Sequence, residues 1–158
     1  MKLTVIAVGR PSRLLAGAIR EYEDRAARYW SLDVVEIREE RAGRGRTEEQ
    51  VREGEAQRQI ERVPPGSEII ALTRGGEEWS STRLARHLEG LAVRASPGAT
   101  FVIGGAFGLG RTVLERATRR LSLSPLTLPH ELARLVLAEQ LYRAGTIARG
   151  EPYHKATE

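Results

Sequence analysis

Residues 101–110 join an apolar run to a glycine-rich turn that could hold a ligand. The run Phe101-Val102-Ile103 leads directly into the glycines of the turn, which are Gly104, Gly105, Gly108 and Gly110. Backbone without side chains lets a small molecule approach closely at the carboxyl end of a strand, where parallel α/β sheets bind ligands. The spacing differs from the dinucleotide-binding fingerprint, and no phosphate-binding Gly-Lys-Ser/Thr follows. A ligand site and a simple tight turn both remain open here.

Residues 121–131, Leu-Ser-Leu-Ser-Pro-Leu-Thr-Leu-Pro-His-Glu, form a second candidate ligand segment. Pro125 and Pro129 fix φ and remove two N–H donors, so an extended loop is expected rather than a helix. Its backbone carbonyl and N–H groups could face an adenine or an amino acid. Pro129 also suits the first turn of the apolar helix predicted over residues 130–147.

Two charged or titratable side chains of this predicted helix, His130 and Arg143, are candidates for function. His130, at its start, could act as a base, a substrate contact or a cap, although a lone histidine is more often structural. Arg143 follows Glu139 by four residues, a spacing typical of an intrahelical ion pair. Both residues therefore keep a structural and a functional interpretation.

The C-terminal tail combines an aromatic ring, an imidazole and a cation in Tyr153-His154-Lys155. Aromatic rings stack on bases and cations contact phosphates, so the combination suits RNA binding. The end of a chain is usually frayed, which gives no structural reason for such a motif. The tail therefore indicates an RNA-facing end.

The elements that must position these groups follow an α/β pattern. Apolar runs predict strands at residues 3–8, 68–73 and 100–103, with a less regular one at 32–37. Amphipathic stretches between them predict helices at roughly residues 13–29, 47–62 and 81–94. Thr47 with Gln50, and the cluster Ser80-Ser81-Thr82, mark helix starts. The order predicts a parallel sheet flanked by helices, with the Arg- and Glu-rich residues 38–62 as a loop and a solvated helix.

Composition limits the classes of protein that fit. A chain of 158 residues with 41% hydrophobic and 29% charged residues predicts one globular domain over residues 1–158, without a membrane span. The N-terminal run lacks a signal-peptide pattern, so a cytoplasmic location is expected. Zero cysteines and three scattered histidines argue against disulfides and a metal site. A net charge of +4 and a pI near 9.9 favour an anionic partner.

Four motifs resemble the RlmH family of the SPOUT superfamily. They are Ile-Gly-Gly-Ala-Phe-Gly-Leu at 103–109, Leu-Ser-Pro-Leu-Thr-Leu-Pro-His at 123–130, Leu-Val-Leu-Ala-Glu-Gln-Leu-Tyr-Arg-Ala at 135–144, and Pro-Tyr-His-Lys at 152–155. The resemblance extends over the whole chain from Met1-Lys2-Leu3. It implies methylation of N3 of a pseudouridine in 23S ribosomal RNA by S-adenosylmethionine, on a ribosome already folded. It also implies a C-terminal trefoil knot that holds the cofactor, and a homodimer with the cofactor site near its interface.

The resemblance implies roles for individual residues. The cofactor site would be lined by Leu72, Gly104, Leu123, Ser124, Pro125, Leu126, Thr127 and Leu128. His130 and Tyr153 would bind the substrate. Uracil N3 carries a proton and is a poor nucleophile until that proton leaves, so we hypothesise that Arg143 stabilises the anion and His154 assists proton removal.

Departures from the family pattern narrow these assignments, and other functions remain open. Some members carry Pro-Glu at Ala106-Phe107 and Asp at Thr73, so the resemblance gives no acidic residue a role at these positions.

A SPOUT-type transfer RNA methyltransferase would share the fold, and a non-catalytic ribosome-binding factor would keep it without methylation. A flavodoxin- or Rossmann-type protein is disfavoured, because no phosphate-binding glycine turn follows the first strand.

Overall fold

Five parallel strands form the central sheet of the computed structural model, which describes residues 1–153. They are β1 Lys2–Val8, β2 Ser31–Ile37, β3 Glu68–Glu78, β4 Gly98–Val102 and β5 Arg119–Ser122. Their order in the sheet is β2-β1-β4-β3-β5, and each neighbouring pair is parallel. The predicted α/β class, a parallel sheet flanked by helices, is confirmed, whereas the order of the strands within the sheet was not predicted. The short strand β5 was not predicted, because its two arginines interrupt the apolar pattern on which strand prediction depends.

Helices cover both faces of the sheet. They are α1 Arg13–Ala27, α2 Glu48–Glu61, α3 Ser81–Val93, α4 Arg111–Arg116 and α5 His130–Ala148. One face carries α1, α3 and α5, and the other carries α2 and α4. Thr47 and Gln50 form a capping box at the start of α2, and the Ser80 hydroxyl accepts from the amide of Arg83 at the start of α3. Both predicted helix starts are therefore confirmed.

Strand β1 runs through the middle of the core, and its alternating side chains serve both faces. Leu3 and Val5 pack with residues of α3 and α5, whereas Ile6 and Val8 pack with β2 on the other side. All residues from Leu3 to Val8 are buried, as expected for a parallel sheet with helices on both faces. Within residues 1–153, no helix is long and apolar enough to cross a membrane.

Candidate active site

A cavity of about 310 Å³ opens beside the middle of β3 and the carboxyl end of β5, next to the glycine turn and the start of α5. This is the edge at which parallel α/β sheets bind ligands, and the volume is at the lower end of small-molecule sites. Most of the lining is apolar, with three hydroxyl groups and one cation. The lining residues are Leu72, Thr73, Arg74, Gly108, Leu109, Leu114, Leu123, Ser124, Leu126, Thr127, Leu128 and Ala133.

Most of the predicted cofactor residues meet at this cavity. Its lining includes Leu72, Leu123, Ser124, Leu126, Thr127 and Leu128. The glycine that lines it is Gly108 rather than the predicted Gly104, and Pro125 lies exposed within the loop, outside the lining. The extended loop predicted over residues 121–131 thus forms one wall, after its first two residues complete β5.

The glycine turn closes on itself, and this closure explains where its glycines fall. A Cβ atom at residue 104 would lie 2.5 Å from the carbonyl carbon of Gly108, so the two backbones touch because Gly104 has no side chain. Gly105 and Gly108 form an isolated antiparallel bridge across the turn. Gly108 has a φ of +86° and open space beside its α-carbon, where it faces the cavity. Gly104 therefore allows the turn to close, although Gly104 itself does not line the cavity.

Helix α2 supports the same turn with two buried polar side chains. Gln59 donates from Nε2 to the backbone carbonyl of Ile103 over 2.8 Å. Glu55 is 4% exposed, and its Oε2 accepts from the amide of Glu40 over 3.1 Å. Its Oε1 is buried without a partner among the described residues, next to Gly105. Burial and the nearby carboxylate of Glu39 raise the pKa of Glu55.

Short polar contacts hold the loop that forms the other wall. The hydroxyl of Ser122 donates to the carbonyl of Ser124 over 3.0 Å, and the hydroxyl of Ser124 accepts from the amide of Leu126 over 2.9 Å. Arg74 donates from Nη1 to Thr127 Oγ1 over 2.7 Å and so links the loop to β3. Such local hydrogen bonds stabilise an irregular loop that lacks the regular backbone hydrogen bonds of a helix or a sheet. The wall is therefore held in one shape.

Arg143 and Tyr153, two of the predicted substrate-side residues, meet near the C-terminal end of α5. Arg143 donates from Nε to Glu139 Oε1 over 3.0 Å, and Tyr153 donates from its hydroxyl to the same oxygen over 3.1 Å. The guanidinium carbon of Arg143 lies 4.9 Å from the centre of the Tyr153 ring. Hydrogen bonding to Glu139 raises the pKa of Arg143, whose guanidinium is cationic at any ordinary pH. Burial, then the charge and hydrogen bond of Glu139, raise the pKa of Tyr153 to about 12.

Aromatic rings surround this group. Tyr142 lies 4.5 Å from Tyr153, 5.8 Å from Tyr29 and 6.4 Å from Tyr22, measured between ring centres. The hydroxyl of Tyr29 in turn donates to the carboxylate of Glu151. Tilted rings at these distances attract one another, so the cluster fixes the chain that leaves α5 against α1.

His130, which is predicted to bind the substrate, does not line the cavity. His130 begins α5 and borders a narrow crevice with Gly9, Arg10 and Ile103, on the side of the turn that faces β1. The next residue, Glu131, accepts from the amide of Ser12 over 2.7 Å and fixes this end of the helix. His154 lies outside the described residues 1–153.

The cavity and the Arg143 group lie toward opposite ends of α5. Ala133 lines the cavity, and Arg143 follows ten residues later in the same helix. At 1.5 Å per residue their α-carbons are about 15 Å apart. An arginine side chain is too short to extend over this distance and past the wall of the cavity. Within one copy, the candidate catalytic cation is therefore remote from the candidate cofactor cavity.

Comparison with known proteins decides the family. A model for the family described as predicted SPOUT methyltransferase matches residues 1–154. The chain belongs to the SPOUT methyltransferase family. A protein named ribosomal RNA large subunit methyltransferase H from Gemmatimonas aurantiaca is 54% identical over 156 residues, covering 98% of this chain and 100% of its own. Proteins with that name from Anaeromyxobacter sp. and Acetivibrio thermocellus are 47% and 41% identical, with the same coverage.

A solved structure also aligns with this SPOUT chain. The putative methyltransferase Lpg2936 from Legionella pneumophila, in complex with S-adenosylmethionine, covers 91% of this chain and 66% of its own, with 11% identity and a TM-score of 0.49. The family match, not this alignment, confirms the expected S-adenosylmethionine-dependent methyltransferase of α/β class.

The residues of the SPOUT cavity fit an adenosyl cofactor. Leucine side chains provide apolar walls for a flat base, and open space beside Gly108 leaves backbone accessible to a ligand. The hydroxyls of Ser124 and Thr127 lie in the same lining. The cavity therefore offers apolar contacts for the base, and hydroxyl groups and open backbone for the polar parts of the cofactor.

Some residues of the site were missed because their place depends on tertiary structure. Arg74 follows a predicted strand and precedes Gly75 and Gly76, and such a glycine pair at a strand's carboxyl end could have marked it. Glu55 and Gln59 lie in a charged stretch predicted to be solvated. Their burial comes from the glycine turn packed against α2, which nothing local in the sequence indicates.

Proposed function

We propose that this protein transfers a methyl group from S-adenosylmethionine to N3 of a pseudouridine in 23S ribosomal RNA of the ribosome. The observation that carries the proposal is the cavity that the glycine turn and the loop after β5 form together, in a chain 54% identical to a named ribosomal RNA large subunit methyltransferase. The net charge of +4 suits an RNA partner.

The cofactor's place in this proposal is the cavity. Leu72, together with the loop residues Leu123 to Leu128, would hold the adenosyl group, and Gly104 would shape the turn that faces it. The bound cofactor supplies an activated methyl group on a sulfonium. The protein's part is to align that group with the acceptor nitrogen, and alignment supplies much of the rate of such a displacement.

The acceptor nitrogen would be prepared by the residues at the C-terminal end of α5. Arg143 is oriented by its hydrogen bond to Glu139 and lies against Tyr153, so its charge is placed beside an aromatic ring on which a base can stack. In our proposal Arg143 stabilises the uracil anion, His154 assists removal of the N3 proton, and Tyr153 and His130 bind the substrate.

A homodimer would bring the two halves of the site together. Arg143 is remote from the cavity of its own copy, so a second copy has to supply this group if it acts on the same substrate. Two large apolar residues near the cavity, Leu126 and Leu132, are 74% and 37% exposed, and a partner would cover them. We propose an interface at this edge, between copies that each form a single domain over residues 1–158 with a trefoil knot in its C-terminal part.

The test is methyl transfer to defined RNA substrates. Cytoplasmic ribosomes that lack the modification, free 23S ribosomal RNA and transfer RNA would each be incubated with the protein and S-adenosylmethionine. Nucleosides would then be mapped by mass spectrometry. We expect 3-methylpseudouridine in 23S RNA from intact ribosomes, and loss of the product with Arg143→Ala. Methylation of transfer RNA instead would support the transfer RNA enzyme. Ribosome binding without S-adenosylmethionine binding would support a non-catalytic factor.

A further inference from the structure

The lining of the candidate cofactor cavity contains one charged side chain among the described residues, that of Arg74. The other lining residues are apolar, are glycine, or carry hydroxyl groups. A cation at the mouth of an otherwise neutral cavity has a strong influence on which end of a polar ligand lies there. The position of Arg74 therefore bears on how a ligand is oriented.

A break in the register of β3 places Arg74 at this mouth. Leu72 and Glu77 both lie opposite Leu121 of β5, so residues 73–76 loop out of the pairing between them. Irregularities of this kind turn a side chain toward a site that the regular strand would not reach. Arg74 is thereby carried to the edge of the cavity, where Thr73 and Leu72 also line it.

The side chain of Arg74 is also oriented. Its Nη1 donates to Thr127 Oγ1 over 2.7 Å, so the guanidinium spans from β3 to the loop that forms the opposite wall. One hydrogen bond uses one of its five donors, which leaves the rest of the planar group available to a ligand. A guanidinium held in this way matches the two oxygens of a carboxylate.

We propose that Arg74 binds the carboxylate of the amino-acid end of S-adenosylmethionine, a role that rests on the cofactor proposed above. The leucine walls suit the adenosyl end, so the charged end of the cofactor lies at the mouth beside the cation. Arg74 is then a specificity-determining residue, because it distinguishes cofactors that carry the carboxylate from those that lack it.

Calorimetry with two ligands tests this role. S-adenosylhomocysteine carries the amino-acid end, whereas 5′-methylthioadenosine shares the adenosyl thioether and lacks that end. Arg74→Ala should weaken S-adenosylhomocysteine binding about tenfold, the effect of one charge-assisted hydrogen bond at an exposed site. Binding of 5′-methylthioadenosine should change less than about twofold. Arg86→Ala is the control, since it removes the same charge from an exposed position on α3, and it should leave both affinities unchanged.

The outcomes separate this inference from the proposed function. If the unmodified protein binds S-adenosylhomocysteine and Arg74→Ala binds it equally well, the role of Arg74 is wrong and the cofactor proposal stands. An equal loss for both ligands also overturns the role, because the carboxylate would not be what Arg74 recognises. If the unmodified protein binds neither compound, the proposed function fails, and this inference fails with it. Weaker RNA binding by Arg74→Ala with unchanged S-adenosylhomocysteine affinity would assign the side chain to an RNA phosphate.

Discussion

The side-chain amide of Gln59 donates a 2.8 Å hydrogen bond to the backbone carbonyl of Ile103. Ile103 is the residue at which β4 gives way to the glycine turn, and Gln59 is 1% exposed. A buried carbonyl without a partner is costly, so this one side chain anchors the turn to α2. Through the turn, α2 helps to fix a wall of the cavity.

Replacing Gln59 by leucine should therefore destabilise the fold. The variant keeps a side chain of similar size but leaves the Ile103 carbonyl buried without its donor, which costs about 1–3 kcal/mol. Urea unfolding would measure the free energy. Gln57→Leu is the control on the same helix, because Gln57 is exposed and its contact to Thr112 is 3.4 Å long. It should change stability by less than about 0.5 kcal/mol. Equal effects of the two variants would contradict the anchoring role.

Gly104→Ala should open the glycine turn. The new Cβ would lie 2.5 Å from the carbonyl carbon of Gly108, and backbone has to move to relieve that contact. Overpacking of this kind costs about 1–3 kcal/mol. Because Gly108 lines the cavity, S-adenosylhomocysteine affinity measured by calorimetry should fall as well. Gly17→Ala, in open space on α1, should raise stability by about 0.5–1 kcal/mol. A Gly104→Ala protein with unchanged stability and affinity would show that the closure of the turn is unimportant.

Glu55→Gln should stabilise the protein at neutral and alkaline pH. Burial raises the pKa of Glu55 in the folded state above the ordinary value of 4.5 for a glutamate, so its contribution to stability is present below that value and is lost as pH rises through the folded pKa. The amide keeps an acceptor for the Glu40 amide and never ionises. Unfolding free energies across pH should show a difference that is small in acid and grows with pH.

Glu61→Gln is the matched control for this change, because Glu61 is an exposed carboxylate at the end of the same helix. As a substitution on the surface, it should change the free energy of unfolding at neutral pH by less than about 0.5 kcal/mol. A Glu55→Gln protein that is less stable than the unmodified one at neutral pH would mean that the ionised carboxylate has a partner.

The sequence was sufficient for elements with strong local patterns and insufficient for contacts made between distant segments. Apolar runs separated by amphipathic stretches predicted the α/β order, and two prolines predicted the extended loop whose residues line the cavity. Strand β5 was missed because a short edge strand with two arginines lacks an apolar pattern. Glu55 is typical of an exposed helix in its sequence context, but it is buried beside Gly105 and the amide of Glu40.

The distance between the predicted cofactor residues and Arg143 also could not be predicted without the tertiary structure. The motifs around Thr127 and Arg143 are close in sequence, but the sequence does not give the distance between them. Helix α5 separates them, since a helix advances about 1.5 Å per residue in one direction. A family resemblance predicts which residues matter without giving the distance between them.

Glu139→Gln should lower the pKa of Tyr153. The pKa of about 12 results from burial and from the charge and hydrogen bond of Glu139, and the amide removes the charge. Absorbance of tyrosinate during alkaline titration would follow it, with Tyr153→Phe to identify the signal among four tyrosines. The pKa of Tyr153 in the folded state lies above the ordinary tyrosine value of 10.0, so its contribution to stability is lost as pH rises from about 10 to about 12. Tyr153→Phe should remove that loss, and an unchanged titration in Glu139→Gln would contradict the pairing.

Two inactive variants should restore activity when they share a dimer. Arg143→Ala removes the cation, and Thr127→Trp fills the mouth of the cavity with a bulky ring at an exposed position. Each alone should lower methyl transfer by at least about 100-fold. If the cavity of one copy works with Arg143 of the other, a mixed dimer keeps one intact site, so an equal mixture should regain about one quarter of the original rate. Arg143→Ala mixed with Tyr153→Ala is the control, because both changes damage the same end of α5 and no intact site can form. If that control mixture regained activity, or if the mixture of Arg143→Ala with Thr127→Trp did not, Arg143 and the cavity would have separate functions.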